Sequence, residues 1–282
     1  MRRVRGLLSI VRLEDCLISA IAVWIGWVAA SGHLIPEGPL PVVLWVISTL
    51  LLVASLNIIN DLGDLEIDRL IHSKRALASG RISLRLTENY LLFIATGSLM
   101  FAFGGALVGG DWLTLMLFTV GVGTGMLYEV WLKKLGMVGN VSIAILDSFP
   151  FLLGGSIHGI NPFVIILCIM AFFTGLAKEI INSVKDIEGD RGIRRTLPLS
   201  MGVKPTLMVA VLLLVITVLL SIIPLYLIGP EVLYIVFMGI TDSILVMVMF
   251  TCFWRPNLAH HLQSLAMAVS LPGIVSISVL GW

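Results

Sequence analysis

The chain has 282 residues, of which 58% are hydrophobic and only 12% charged; its mean hydropathy is +1.05 and its formal net charge +1. A soluble domain carries about 25% charged residues, so the composition excludes a soluble globular protein and points to an integral membrane protein. With no strongly basic patch and no nucleic-acid-binding motif, DNA and RNA are excluded as partners.

The chain opens on MRRVRGLLSIVRLED, where Arg12, Glu14 and Asp15 interrupt the apolar stretch too early for a signal peptide. It reads as a basic amphipathic segment lying on the membrane surface. Apolar runs follow at 15–32, 39–60, 89–109, 112–131, 138–158, 161–181, 206–228, 231–253 and 260–280. Each is close to the roughly 20 residues that a spanning helix needs. Inside hydrocarbon every backbone group needs a partner within its own segment, so the runs are helices. The expected fold is therefore all-α: a polytopic membrane protein with nine transmembrane helices. Breakers such as GGD, HGINP, IGPE and WRPN separate the runs. No soluble domain or linker interrupts them. Cys16, Cys168 and Cys252 are scattered through apolar runs as buried small hydrophobes, forming neither a disulfide framework nor a zinc site.

The 18 Lys and Arg residues precede the first run or follow the second, fourth, sixth and eighth. All of them therefore fall on one side of the membrane, which the positive-inside rule makes cytoplasmic, with the N-terminus on that side. Eight of the 17 acids, Asp61, Asp64, Glu66, Asp68, Glu179, Asp186, Glu188 and Asp190, gather in the two long cytoplasmic segments. Asp147 and Asp242 are exceptions deep within spans, read as packing or cavity-lining groups, since intramembrane acids face the bundle interior and find partners. Neither lies in a GxGD context, which argues against an aspartyl protease. The five histidines read as surface or interfacial, with His72 close to the acidic segment.

One acidic stretch occurs twice. Shifted by 122 residues, NIINDLGDLEIDR (57–69) falls on EIINSVKDIEGDR (179–191), with seven of thirteen positions identical. Both copies read Asn-x3-Asp-x3-Asp and follow an even-numbered span. They are parallel, with four spans between them, whereas transporters more often carry inverted repeats. The implied organisation is one domain over 1–282, made of two related four-helix halves at about 15–135 and 138–253 plus a ninth helix at 260–280.

Positions i, i+4 and i+8 share a helical face. Asn60, Asp64 and Asp68 therefore form one oxygen stripe, and Asn182, Asp186 and Asp190 form its twin. If the stripes face each other they make an all-oxygen cage, without His or Cys, that suits Mg²⁺ together with substrate phosphate. The ion reverses the local sign, and Lys74, Arg75, Arg81, Lys133, Arg191, Arg194 and Arg195 are available to hold the outer oxygens. A diphosphate presented at the membrane surface is the implied substrate. Glu66 and Glu188 recur off the stripe as helix-surface or supporting groups.

NDLGDLEID, SGRIS (79–83), YEVWLKKLGMVGN (128–140) and KDIEGDRGIRRTLPLSMG (185–202) together resemble the UbiA superfamily of intramembrane prenyltransferases, over nearly the whole chain. The resemblance implies a helical bundle around a central cavity with a cytoplasmic cap, and Mg²⁺-dependent transfer of a prenyl group from its diphosphate to an acceptor. It implies that Asn60, Asp64, Asp68, Asp186 and Asp190 bind diphosphate through Mg²⁺, with the four aspartates catalytic. Asn182 joins them by the repeat. Tyr128, Lys133 and Arg81 would contact diphosphate or steady the cap.

Within the superfamily the chain looks most like the archaeal digeranylgeranylglyceryl phosphate synthases. That likeness implies a cell-membrane lipid enzyme joining geranylgeranyl diphosphate to geranylgeranylglyceryl phosphate. Arg12-Leu13-Glu14-Asp15 stands where the family usually has Arg-Pro-x-Asn, and RALASG (75–80) where it has a Pro-rich RPxPSG. An aromatic or quinone precursor is the alternative acceptor. From other classes, a transporter would place its acids at the midplane, and a CDP-alcohol phosphotransferase would need Asp-Gly-x2-Ala-Arg.

Overall fold

The computed structural model describes residues 2–190 and 196–280, without the side chains of Arg2, Arg3, Ile71 and Asp190. The regular structure among the described residues is all helical, with no strand. In chain order the helices are α1 Arg2–Val11, α2 Leu13–Ser31, α3 Leu40–Gly63, α4 Leu65–Ile71, α5 Leu84–Gly109 and α6 Trp112–Val130. A 3₁₀ turn at Leu132–Lys134 precedes α7 Met137–His158, α8 Pro162–Lys185 and α9 Ile187–Asp190. The chain then runs through α10 Leu197–Met201, α11 Val203–Leu220, α12 Ile223–Leu227, α13 Val232–Thr251 and α14 Pro256–Leu280.

Among the described residues nine segments are long and apolar enough to cross a membrane, one for each apolar run of the sequence. Large side chains such as Phe93, Met100, Phe103 and Leu107 along α5 are exposed, as lipid-facing surfaces require. Two boundaries differ from the hydropathy pattern for local reasons. α5 begins at Leu84, five residues ahead of its apolar run, because the Ser83 hydroxyl accepts from the Leu86 N–H at 3.3 Å and caps it. The seventh span is interrupted after Leu220 because Pro224 lacks an N–H and its ring conflicts with the carbonyl four residues back, so the chain restarts as α12.

The helices fall into two compact units. The first comprises residues 1–24 and 36–130, hence α1, the start of α2 and α3–α6. Its core joins Ile10 and Val11 of α1, Cys16, Ala54 and Ile58 of α3, Ile94 of α5, and Ala76, Leu77 and Ile82 of the loop after α4. Ser48 and Ser98 clamp α3 to α5, each hydroxyl donating to the other's carbonyl at 2.9 and 2.8 Å. α1 and the 72–83 loop are thus packed parts of the unit, and a Cβ on Gly6 would come within 2.7 Å of Ile82 Cγ2.

The second unit comprises residues 25–35 and 131–282. Its core is built around α8, with Ile180, Ile181 and Val184 against Leu207, Leu214, Leu245, Val248 and Ala266. Gln263 of α14 is fully buried and donates to the Thr174 carbonyl of α8 at 2.7 Å.

Candidate active site

Both acidic motifs sit where a spanning helix ends. α3 runs to Gly63, Asp64 takes φ −95°, ψ 6°, and α4 begins at Leu65. α8 runs to Lys185, Asp186 takes φ −96°, ψ 10°, and α9 begins at Ile187. The middle aspartate of each motif therefore occupies the same sparsely populated bridge conformation, a region that favours turns and active-site residues. The i, i+4 ladder runs into both bends and, in the first motif, continues beyond it. Asp64 N–H donates to the Asn60 carbonyl at 2.9 Å, Asp186 N–H to the Asn182 carbonyl at 3.0 Å, and Asp68 N–H to the Asp64 carbonyl at 2.8 Å. The neighbours before the bend, Gly63 and Lys185, have nothing in common, so the shared geometry belongs to the motif.

In the first unit the side chains form a dense charge network. Asn60 Nδ2 donates to Glu129 Oε2 at 2.8 Å, and Asn60 Oδ1 accepts from Arg12 Nη2 at 3.2 Å. The same Arg12 nitrogen lies 2.8 Å from Asp61 Oδ1. Asp68 is buried and accepts from Arg75 Nη1 at 2.7 Å, with His72 Nδ1 at 3.4 Å from its other oxygen. Arg75 Nη1 also lies 3.9 Å from Asp61. Asp64 is half-buried and Glu66 exposed.

Arg12 connects α1 to α2 with φ +52°, the one described non-glycine residue at positive φ. Asn57 of the motif fixes that corner by donating to the Val11 carbonyl at 2.9 Å. Lys74 is exposed, and its carbonyl accepts from Arg81 Nη2, whose Nε donates to Ser79 at 3.1 Å. Tyr128 is half-buried in the last turn of α6, beside Glu129.

In the second unit Asp186 is exposed, and Asn182 Oδ1 is buried with no hydrogen-bond partner among the described residues. Lys133 is buried in the 3₁₀ turn before α7. Gly139 allows that turn to close, since a Cβ there would stand 2.8 Å from the Leu132 carbonyl oxygen and 3.3 Å from Lys133 Cα. Asp190 ends α9 with its side chain undescribed, and Arg191, Arg194 and Arg195 lie outside the described residues.

The intramembrane acids find ordinary surroundings. Asp242 Oδ2 accepts from the Ser221 hydroxyl at 2.8 Å. Asp147 sits beside α8 at Gly175, where a Cβ would lie 3.6 Å from its carboxylate.

No three His, Cys, Asp or Glu side chains come together as a metal cluster among the described residues. Within the first unit, guanidinium groups answer Asp61 and Asp68 instead, which is how buried carboxylates avoid an uncompensated charge. The donors still suit a hard divalent cation. They are carboxylate and amide oxygens only, and the buried, unpartnered Asn182 Oδ1 is a carbonyl oxygen that a cation would satisfy.

Three residues of this network, Arg12, Asp61 and Glu129, are absent from the sequence-derived set. The signal for Arg12 and Asp61 was an arginine ahead of the first span and an acid beside Asn60, each needing a counter-charge. Glu129 adjoins Tyr128, and only the fold brings it to Asn60.

The sequence pattern of the UbiA prenyltransferase family matches residues 17–271. The digeranylgeranylglyceryl phosphate synthase of Sulfolobus acidocaldarius is 30% identical over 286 aligned positions, covering 98% of this chain and 96% of that one. That of Methanosphaera stadtmanae is 32% identical over 240 positions, 85% of each. Among solved structures, a digeranylgeranylglyceryl phosphate synthase superposes with a TM-score of 0.79 at 25% identity, over 99% of this chain and 100% of that one. A UbiA homolog from Archaeoglobus fulgidus bound to GPP and Mg²⁺ gives 0.71 at 22% identity, over 96% and 99%.

Proposed function

Since the chain belongs to the UbiA prenyltransferase family, and is a multi-pass membrane prenyltransferase, we propose that it transfers a geranylgeranyl group from its diphosphate to geranylgeranylglyceryl phosphate. The doubled Asn-x3-Asp-x3-Asp motif, bent identically at Asp64 and Asp186, carries this reading. The relatives named digeranylgeranylglyceryl phosphate synthase support the lipid acceptor. The A. fulgidus homologs bound to GPP or DMAPP with Mg²⁺ support a metal-bound prenyl diphosphate donor.

In this reading Asn60, Asp64, Asp68, Asn182, Asp186 and Asp190 supply oxygens to magnesium on the cytoplasmic side of a cell membrane. When bound, the ion offsets the negative charge that develops on the departing diphosphate. Lys133, Lys74, Tyr128 and Arg191 hold the outer phosphate oxygens, so charge stabilisation is arranged before the bond breaks. Glu129 orients the Asn60 amide, leaving its carbonyl oxygen as the ligand. The apolar helices receive the prenyl tail and keep water from the allylic carbon, which becomes cation-like as its bond to oxygen breaks. The acceptor's hydroxyl oxygen then forms the new C–O bond and releases its proton, while diphosphate leaves with the electrons of the broken bond. We read the domain as two related four-helix halves with a ninth helix, closed by a cap and enclosing the prenyl cavity.

The deciding experiment gives purified protein geranylgeranyl diphosphate and a panel of acceptors, with and without Mg²⁺. Metal-dependent ether product on geranylgeranylglyceryl phosphate is expected. Product only on a hydroxybenzoate or a naphthoate sinks the lipid assignment.

A further inference from the structure

Beside the first acidic motif lies an open cleft of about 160 Å³. It is contained wholly in the first unit and lined by Ser9, Ile10, Arg12, Asp61, Arg75, Ala76 and Arg81. Three guanidinium groups converge there. Their internal partners use only part of each fork: Arg12 spends Nη2 on Asp61 and Asn60, Arg75 spends Nη1 on Asp68, and Arg81 spends Nε and Nη2 on Ser79 and Lys74. Among the described residues nothing takes Nε and Nη1 of Arg12, Nε and Nη2 of Arg75, or Nη1 of Arg81. Three positive charges meet two carboxylates, Asp61 and Asp68, so the cleft keeps a surplus cation. It therefore disfavours a metal and favours an anion.

Construction points the same way. Arg12 is held at φ +52°, a conformation that costs a non-glycine residue energy and persists where the surroundings enforce it. Arg75 and Arg81 come from a loop anchored in the core by Ala76, Leu77 and Ile82. Pockets for whole drug-sized ligands run from about 300 Å³, so this one takes a head group and not a prenyl tail. Forked guanidinium donors match the oxygens of phosphate.

We propose that the Arg12–Arg75–Arg81 cleft binds the phosphate of the lipid acceptor, and so selects a phosphorylated acceptor over a neutral one. This inference rests on the proposed lipid-transferase reading. Arg12 touches Asn60 and Arg75 touches Asp68, so an anion here lies one side chain from the metal ligands. A short glycerol linkage places the acceptor's hydroxyl at that distance from its phosphate. Arg75, assigned to the donor diphosphate by its basic character, and Arg81, assigned there or to the cap by the family resemblance as well, thereby pass to the acceptor.

The test uses the full chain in detergent micelles without donor, and compares binding of geranylgeranylglyceryl phosphate with that of geranylgeranylglycerol. Wild type should prefer the phosphate form at least tenfold, and Arg81→Gln, at an exposed position, should lose most of that preference. In turnover, Arg81→Gln should raise the acceptor KM about tenfold, the worth of a charge-assisted hydrogen bond, and leave the geranylgeranyl diphosphate KM within twofold. Inorganic phosphate should compete with the acceptor and not with the donor, a readout that needs no variant. Equal binding of the two lipids, or a raised donor KM, or phosphate competing with the donor, overturns the cleft and leaves the transferase reading standing. A strong wild-type preference for the phosphorylated lipid without transfer to it supports the cleft and overturns the transferase reading.

Discussion

Arg12 poses a question of sign that the structure answers. Its backbone sits at φ +52°, where an L-residue other than glycine is penalised by about 1–2 kcal/mol. Glycine at this position would remove that penalty. Its guanidinium, however, lies 2.8 Å from Asp61, a carboxylate only 6% exposed. Stripping the partner from a buried ion pair costs roughly 3–5 kcal/mol. Two facts reduce that figure here: the Arg12 side chain is 37% exposed, and Arg75 remains 3.9 Å from Asp61. A loss of roughly 2–3 kcal/mol is the reasonable value after solvent screening. Arg12→Ala keeps the strain and loses the pair, so it should destabilise by that whole amount. Arg12→Gly should destabilise less, by roughly 0–2 kcal/mol, because about 1–2 kcal/mol of backbone relief is subtracted from the loss. Thermal unfolding of the metal-free protein in micelles, followed by tryptophan fluorescence at pH 7, should give the order wild type, glycine variant, alanine variant from highest to lowest Tm. With about 2–4 °C per kcal/mol for chains of this class, the steps are measurable. A glycine variant that melts above wild type would show that the pair contributes less than the backbone strain it accompanies, and would refute the argument.

Asp64→Ala and Asp186→Ala should each abolish Mg²⁺-dependent turnover while leaving the far-UV circular dichroism and elution volume unchanged; near-normal activity in either removes that residue from the metal site. Glu231 caps α13, accepting from the Tyr234 and Leu233 N–H groups at 2.6 and 3.1 Å and from the Ser276 hydroxyl of α14 at 2.7 Å. Desolvation alone would push its carboxyl up, but the hydrogen bonds from Ser276, Tyr234 and Leu233 hold it below the ordinary value. Its stabilisation is therefore complete above the unfolded-state pKa and is lost as pH falls through the lower folded one. Glu231→Gln should flatten the Tm-against-pH curve in that acid window; an unchanged acid slope would contradict this. Gly26 of α2 lies against α7, where an added Cβ would overlap the Phe151 carbonyl oxygen and stand 2.8 Å from its carbon. Backbone cannot swing aside as a side chain can, so Gly26→Ala should destabilise by about 1–3 kcal/mol, and a wild-type Tm would show that the helices separate freely.

The spans were legible because the bilayer imposes a length and a polarity that the chain must state locally: each helix can be recognised from about 20 neighbouring residues. The motif was legible for a similar reason, since i and i+4 neighbours share a face whatever the tertiary structure does. Neither rule reaches across the chain. Arg12 and Asp61 are 49 residues apart, and Asn60 and Glu129 are 69 apart. Periodicity has no means of pairing them. The bend at Asp64 has only a weak local mark, Gly63 before it and no proline, and the bend at Asp186 lacks even that. The cleft needed the 72–83 loop to be packed, which nothing local in RALASG states.

The metal-free network also bears on how the site can be loaded. Asp68 is buried and held by Arg75, and the Asn60 carbonyl oxygen is held by Arg12. An acidic stripe kept ready for a divalent ion would repel itself without one. Two arginines that reach in from separate elements, the α1–α2 corner and the 72–83 loop, remove that repulsion at no cost in metal. The same two side chains border the cleft proposed for the acceptor's phosphate. An anion bound there would draw the guanidinium groups toward itself and loosen their hold on Asn60 and Asp68, the oxygens assigned to magnesium. Acceptor phosphate and metal would then favour one another's binding, and linkage requires the effect to be equal in both directions. On this argument Mg²⁺ should bind more tightly in the presence of geranylgeranylglyceryl phosphate than of geranylgeranylglycerol, and Arg75→Gln should abolish the difference. Isothermal titration of Mg²⁺ against the two lipid complexes measures it, and identical affinities in wild type would show that the arginines keep their carboxylates whatever fills the cleft.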